Sequence, residues 1–208
     1  GGQIGKDTLG SIENVIGSAN KDIILGNAKN NFIQGGSGSD RIWARGGNDT
    51  VEGGNGGDIL VGGFGGSSGK ASGNDTLLGE AGADKLFGED GNDILRGGLG
   101  RDQYAGGDGQ DWLYFDGDGV SDKAWGGNNS DRFIFEAGFG VDAIKDFLAV
   151  GPQGDKIDLS AFSLSYGDLT ISQVGNDVHI TAAGLGAGNK IILEVVNAGA
   201  VTADDFIF

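Results

Sequence analysis

Large apolar side chains return on a nine-residue register over much of the chain, at Ile24, Ile33, Ile42, Val51, Leu60, Leu77, Leu86, Leu95, Tyr104, Leu113, Ala124 and Phe133. Only Ala124 is small. Two positions before each stands an aspartate, or Asn31 in one case, and before that a glycine-rich turn. Such a period fits neither an amphipathic helix nor a long alternating strand. It predicts very short strands whose middle side chain points inward while its two neighbours point outward. Two such halves complete one coil of a parallel roll, so residues two repeats apart stack on one another.

The turns are as regular as the strands. Gly35-Gly36-Ser37-Gly38-Ser39-Asp40, Gly53-Gly54-Asn55-Gly56-Gly57-Asp58, Gly97-Gly98-Leu99-Gly100-Arg101-Asp102 and Gly106-Gly107-Asp108-Gly109-Gln110-Asp111 all read GGxGxDxUx, where U is large and apolar. Glycine enters φ > 0 without penalty, so the backbone can turn tightly and aim successive carbonyls at one point. A hard cation suits that point, since calcium takes about six to eight oxygens, carbonyl and carboxylate together. The candidate metal positions are Asp22, Asp40, Asp49, Asp58, Asp75, Asp84, Asp93, Asp102, Asp111, Asp122 and Asp131, with the loop glycines Gly35, Gly36, Gly38, Gly53, Gly54, Gly56, Gly97, Gly98, Gly100, Gly106, Gly107 and Gly109. Gly-Asn-Asp clusters also make ordinary turns, but a fixed register over so many units favours ligation. The nonapeptide resembles that of RTX, or haemolysin-type, calcium-binding proteins, and the resemblance implies a right-handed parallel β-roll binding several Ca2+ ions.

Alternate repeats share an edge of such a roll. The spacing assigns Asp22, Asp40, Asp58, Asp75, Asp93, Asp111 and Asp131 to one edge, and Asn31, Asp49, Asp84, Asp102 and Asp122 to the other. That second edge reads as the weaker, because Asn31 is uncharged and the slot between Asp49 and Asp84 falls on Ser67. Asp58 to Asp75 is seventeen residues, which predicts a pinched half-coil near Ser67, and Asp111 to Asp122 is eleven, which predicts a longer loop over 115–121. Backwards from Asp22 the register reaches Glu13 and Val15, a degenerate first half-coil. On this assignment the outward residues of one sheet, from Ile23 and Leu25 to Arg132 and Ile134, are mostly apolar. A contiguous apolar stripe marks something packed against it, and the expectation is that residues 135–208 fold back over it.

Composition sharpens the picture. Of 208 residues, 45 are glycine and one is proline, a balance that would suggest disorder were it not periodic. Thirty acidic against fourteen basic residues give a net charge of −16, so the chain repels itself, and nucleic acid and anionic membranes are poor partners. No cysteine is present, so disulfides cannot hold the fold and a metal would stand in for them. No apolar run reaches the length of a membrane span, and no signal peptide is visible. Methionine is also absent. Its absence predicts that the chain is a piece of a longer product whose missing part lies upstream.

After Asp131 the short glycine turns give way to longer apolar stretches with β character. Strand candidates are Phe133–Phe135, Ala143-Ile144, Lys156–Leu159, Leu169–Ser172, Val178–Thr181, Lys190–Val196 and Phe206–Phe208, with a hairpin at Gly175-Asn176-Asp177. A short helix is expected at Ala161–Tyr166 or Ala200–Phe206. The stretch Asp142-Ala143-Ile144-Lys145-Asp146-Phe147 and the stretch Asp155-Lys156-Ile157-Asp158-Leu159-Ser160-Ala161-Phe162 resemble the C-terminal domain of serralysin-type secreted metalloproteases. The end, Asp204-Asp205-Phe206-Ile207-Phe208, is similar to the C-terminal signal of proteins exported by type I secretion. Alginate epimerase modules, lipases, adhesins and S-layer proteins share the roll.

Catalytic signatures are missing. There is no HExxH and no cysteine nucleophile, and the single histidine, His179, lies in an alternating strand pattern with no partner at triad spacing. The chain therefore reads as all-β: an N-terminal lead-in over 1–16, a calcium-binding roll over 17–134, and a β-rich capping subdomain over 135–208. No catalytic residue is assigned. The resemblance implies a secreted, extracellular module that leaves through a type I exporter, folds on meeting calcium and steadies an upstream domain, such as a metalloprotease. The alternative is a polysaccharide-binding module or an adhesin or S-layer piece.

Overall fold

The computed structural model describes residues 6–8, 13–63, 73–149 and 154–208. Two sheets face each other, and the chain alternates between them. One has eleven strands: β1 (Lys6–Thr8), β3 (Ile23–Leu25), β5 (Arg41–Trp43), β7 (Ile59–Val61), β9 (Lys85–Asp90), β11 (Gln103–Asp108), β13 (Lys123–Asn128), β15 (Val141–Ile144), β19 (Lys190–Leu193), β18 (Asp177–Thr181) and β17 (Thr170–Val174), in that spatial order. The other has nine: β2 (Asn14–Ile16), β4 (Phe32–Ser37), β6 (Thr50–Asn55), β8 (Thr76–Ala81), β10 (Ile94–Leu99), β12 (Trp112–Phe115), β14 (Arg132–Phe135), β16 (Lys156–Asp158) and β20 (Phe206–Ile207). Every neighbour pair is parallel except β17 with β18 and β18 with β19. This is the all-β parallel roll that the nine-residue period predicts.

The inward slots form the core. Ile33, Ile42, Val51, Leu60, Leu77, Leu86, Leu95, Leu113 and Phe133 are fully buried, as are Tyr104 and the small Ala124. Stacked in register, as Val51 on Leu77 and Leu77 on Leu95, they fill the space between the sheets in ladders. Towards the C-terminal end aromatic rings take over. Phe115 stacks on Phe135 at 4.4 Å, Phe135 meets Phe139 edge-on at 4.8 Å, and Phe139 reaches Phe162. The coils there are longer, and wider coils need larger side chains to keep interior packing density.

The edge assignment made from spacing is wrong. The coils flanking the interruption hold to an 18-residue stack, but β6 pairs with β8 and β7 with β9, so Asp49 stacks on Asp75 and Asp58 on Asp84, each 26 residues apart. The interval is an ordinary half-coil lengthened by 26 − 18 = 8 residues, and Ser67 lies outside the described residues. A seventeen-residue coil would have moved every following side chain to the opposite face, because a one-residue slip inverts a strand. Eight residues added between β7 and β8 leave both registers intact.

The expected apolar stripe is broken by the same crossing. Ile23, Leu25, Trp43, Ile59 and Val61 lie on the eleven-stranded sheet, whereas Leu78, Ile94, Trp112, Tyr114 and Ile134 lie on the other. Residues after 134 do not fold back over either face. They continue both sheets, through β15 and β19 on one side and β16 and β20 on the other. Ile94 and Trp112 accordingly remain about two-fifths exposed, at 37% and 43%. All the strand candidates of this region form strands, and Gly175 takes φ 64°, the positive sign that the first position of a tight hairpin turn requires. Helix is confined to single 3₁₀ turns, one of which, Ala203–Asp205, falls inside an expected window.

Candidate metal ladders

Each turn delivers its aspartate to the same place. The side chain folds back so that Oδ1 accepts the amide of the equivalent residue one coil earlier. On one edge the chain of bonds runs Asp22, Asp40, Asp58, Asp84, Asp102, Asp122, Asp142, at 2.7 to 2.9 Å. On the other it runs Asn31, Asp49, Asp75, Asp93, Asp111, Asp131, Asp155, at 2.7 to 3.0 Å. All eleven aspartates singled out in the sequence join these two ladders, but from Asp75 onward on the edges opposite to those assigned. Asp142 and Asp155 were missed. Both begin an Asp-x-Ile triplet, Asp142-Ala143-Ile144 and Asp155-Lys156-Ile157, but they fall eleven residues after Asp131 and thirteen after Asp142, off the nine-residue register.

The second oxygen is what makes the ladders unusual. Oδ2 of Asp40, Asp58, Asp84, Asp102 and Asp142 on one edge, and of Asp49, Asp75, Asp93, Asp111 and Asp131 on the other, is buried with no hydrogen-bond donor. A buried carboxylate oxygen left bare is costly, about 1 to 3 kcal/mol or more for a charged group. A glycine lies against each of these oxygens except those of Asp49 and Asp142, where Ala44 and Ala137 stand at the equivalent position. A β-carbon on Gly79 would sit 2.6 Å from Asp84 Oδ2 and 2.6 Å from the Gly97 carbonyl oxygen, so a side chain there would fill the space in which both oxygens meet. Gly35 and Gly53 repeat the arrangement against Asp40 and Asp58, and Gly97 and Gly106 place Asp102 and Asp111 in the same way. The second and third glycines, Gly36, Gly38, Gly54, Gly56, Gly98, Gly100, Gly107 and Gly109, turn the chain at positive φ. At Gly54, φ is 104° and a β-carbon would collide with the Gly36 carbonyl, so no other residue fits.

Electrostatics state the same need for a cation. Burial, opposed only partly by the amide bonds, pushes the carboxyls of Asp49, Asp75, Asp84, Asp93, Asp122 and Asp131 up to about 7, those of Asp111 and Asp142 to about 8, and those of Asp58, Asp102 and Asp155 to about 6. Neighbouring carboxylates add to the shift along the ladders. Among the described residues no three acidic or histidine side chains converge on one point. The donor set is thus backbone carbonyls with an aspartate oxygen from the coil, a hard, oxygen-only set of the kind calcium takes. The residues fit the ion.

Four ladder positions depart from the pattern. Asp22 Oδ2 already accepts from Ser18 N and Ser18 Oγ. Asn31 carries an amide whose Nδ2 is buried without an acceptor. Asp155 Oδ2 accepts from Leu148 N, and Asp122 Oδ2 from the Tyr104 hydroxyl. His179 lies on β18 opposite Ser172 and Ile192.

Comparison with known proteins places the ladders in a family. The family model described as the RTX calcium-binding nonapeptide repeat (4 copies) matches residues 16–51, 35–67 and 71–104. No curated protein matches the chain. Similar solved structures include the extracellular lipase LipA from Serratia marcescens, 18% identical over 97% of this chain with a TM-score of 0.36. Two subunits of the Azotobacter vinelandii mannuronan C5-epimerase are also similar: AlgE6R3, 22% identical over 97% of this chain and 86% of its own, with a TM-score of 0.33, and AlgE6R2, 28% identical over 76% and 91%, with a TM-score of 0.43. The chain spans 40% of the lipase's length. Residues 16–67 and 71–104 match the RTX calcium-binding nonapeptide repeat, and the molecule to which they belong is a parallel β-roll.

Proposed function

We propose that this chain is a non-catalytic, calcium-gated folding module of a secreted protein. The observation that carries the reading is the pair of ladders of buried aspartates, ten of which leave Oδ2 bare, eight of those against a glycine. Asp40, Asp58, Asp84, Asp102 and Asp142 would hold ions along one edge, and Asp49, Asp75, Asp93, Asp111 and Asp131 along the other, with the loop carbonyls completing each shell. Bound calcium supplies positive charge and a cross-link between successive turns. The chain's own part is to gather the oxygens. Glycines set the turns, Oδ1 fixes each carboxylate against the coil before it, and the inward apolar ladder becomes buried only when the coils stack.

Metal-free, the chain keeps a net charge of −16 and a composition rich in glycine, and both oppose compaction. Extracellular calcium modules bind at about 10⁻⁴ to 10⁻³ M, so such a chain stays unfolded where calcium is scarce and folds where it is plentiful. That asymmetry suits export by a type I secretion system in the unfolded state, followed by folding outside and support of an upstream domain such as an exoenzyme. Far-ultraviolet circular dichroism tests the core of the reading. The expected result is little β signal in chelator and a cooperative rise with millimolar calcium; a spectrum indifferent to calcium would refute it.

A specific surface favours a second reading, a polysaccharide-binding face. On the eleven-stranded sheet the outward residues Trp43, Val61, Phe87, Ala105 and Trp125 stand in one register column, beside a column containing Arg41, Lys85 and Lys123. Lys145 lies over the Trp125 ring at 6.0 Å. Flat rings beside cations can stack on sugar rings and pair with uronate groups. Titration of the calcium-loaded chain with an acidic glycan such as alginate is expected to show binding that Trp43→Ala and Lys85→Ala weaken; no binding removes this second reading.

A further inference from the structure

The rung between Asp102 and Asp122 is built differently from the others on its edge. It is the first to span 20 residues, as Asp122 to Asp142 does after it, where the preceding rung, Asp84 to Asp102, spans 18. The loop amides of regular coils donate to carbonyls of the next coil, as Gly38 to Asn55 at 2.7 Å and Gly82 to Leu99 at 2.8 Å. Here Gly98 N donates instead to Asp116 Oδ2 at 2.9 Å, and Gly100 N to Asp118 Oδ2 at 2.6 Å. Asp116 Oδ1 is meanwhile held by Arg96 Nε at 2.6 Å. The carboxylates of the longer loop are therefore spent on backbone amides and a guanidinium.

The core side of the rung is closed by Tyr104. It occupies an inward slot that elsewhere holds Leu, Ile, Val or Phe, and it is fully buried. Its neighbour in register is Ala124, the one small residue of the series, which leaves room for the ring. Phe115 packs on it edge-to-face at 5.7 Å and fixes its direction. The hydroxyl then donates to Asp122 Oδ2 at 3.2 Å, the oxygen that stands bare in Asp40, Asp58, Asp84, Asp102 and Asp142 on the same edge.

We propose that the Tyr104 hydroxyl takes the place of a calcium ion at Asp122, so that the ion column of this edge is interrupted at one rung closed entirely by protein groups. A hydroxyl donating to a carboxylate is a charge-assisted bond. It removes the bare oxygen without a metal. Tyr104 and Ala124 are thus a matched pair: the large residue reaches the carboxylate only because its neighbour is small.

This inference rests on the calcium reading, and the two are separable by counting bound ions on the full chain with native mass spectrometry over a calcium series. Asp84→Asn should lose at least one ion relative to the parent, whereas Asp122→Asn should lose none, since its amide can still accept from Asp102 N and donate to the phenol oxygen. Tyr104→Phe should gain one ion, because Asp122 Oδ2 is then as bare as its neighbours. Circular dichroism in saturating calcium checks that each variant folds. A parent that binds no calcium overturns the calcium reading and this one together. A parent that binds calcium but loses as many ions through Asp122→Asn as through Asp84→Asn overturns this inference alone, as does a Tyr104→Phe chain that gains none.

Discussion

A carboxylate buried without a proton donor is a demand on its surroundings, and the ladder aspartates differ in how far that demand is met. Asp84 is buried, its Oδ1 holds the Asp58 amide, and its Oδ2 is bare. Asp22 is half-buried and both of its oxygens meet donors or solvent. In saturating calcium, Asp84→Ala is expected to cost about 1 to 3 kcal/mol and to raise the calcium needed for folding. Asp22→Ala should cost visibly less, and equal thermal shifts would show that ladder position does not matter. The same burial sets a pH dependence. The folded carboxyls of Asp49, Asp75 and Asp93 stand at about 7, above the roughly 3.9 of an unfolded aspartate. Their contribution to the metal-free fold is then fully present below about pH 4 and lost as pH rises through about 7. Calcium-free chain taken from pH 8 to 4.5 should gain β structure, the proton standing in for the metal; an acid spectrum no more ordered than the neutral one would contradict the shifts.

At the scale of the element, the half-coil is the unit, and the lengthened one between Asp58 and Asp75 tests how coils register. Removing residues 64–71, eight positions, returns that coil from 26 residues to the 18 of the regular stack. The variant is expected to keep its ion count and to melt in calcium no lower than the parent, since closing a shorter loop costs slightly less entropy. A large drop in melting temperature would mean that the coil was read wrongly. The sequence displays the inward slots plainly, because a large apolar residue two places after an aspartate is a local signal. It displays the edges less well. Seventeen residues between Asp58 and Asp75 can be a whole coil short of one residue or a half-coil with eight added, and only strand pairing decides. Asp142 and Asp155 are hidden because the coils lengthen there, placing them eleven and thirteen residues after the preceding ladder aspartate, although Gly138 and Gly140 still turn the chain before Asp142 at positive φ. The bond from Tyr104 to Asp122 joins positions on adjacent coils, beyond the reach of any pattern read along the chain.

For the whole molecule, one charge balance governs both states. The two ladders gather many of the thirty acidic residues into two lines, so neutralising those lines removes the largest source of self-repulsion at once. Folding should therefore be steep in calcium and accompanied by a large contraction. Small-angle scattering is expected to show the radius of gyration falling from about 50 Å towards about 17 Å, the values scaling gives for an unfolded and a compact chain of this length. A gradual change, or a metal-free chain already at about 17 Å, would argue that the coils stack without the ions.

The reversal of strand direction at one end of the eleven-stranded sheet bears on how such a stack stops. Through its length each coil offers the next a row of amides and carbonyls running the same way, a template that any further coil, from this chain or a neighbour, could continue. Beyond β19 the pairing turns antiparallel, ending in β17, while the other sheet ends in the two-residue β20. The outermost rows on the two sheets thus no longer match one another in direction or length. A neighbouring roll arriving end-on would find its two sheets asked to dock on incompatible borders, and the same side-chain repeat that lets coils pile up within one molecule is denied a landing between molecules.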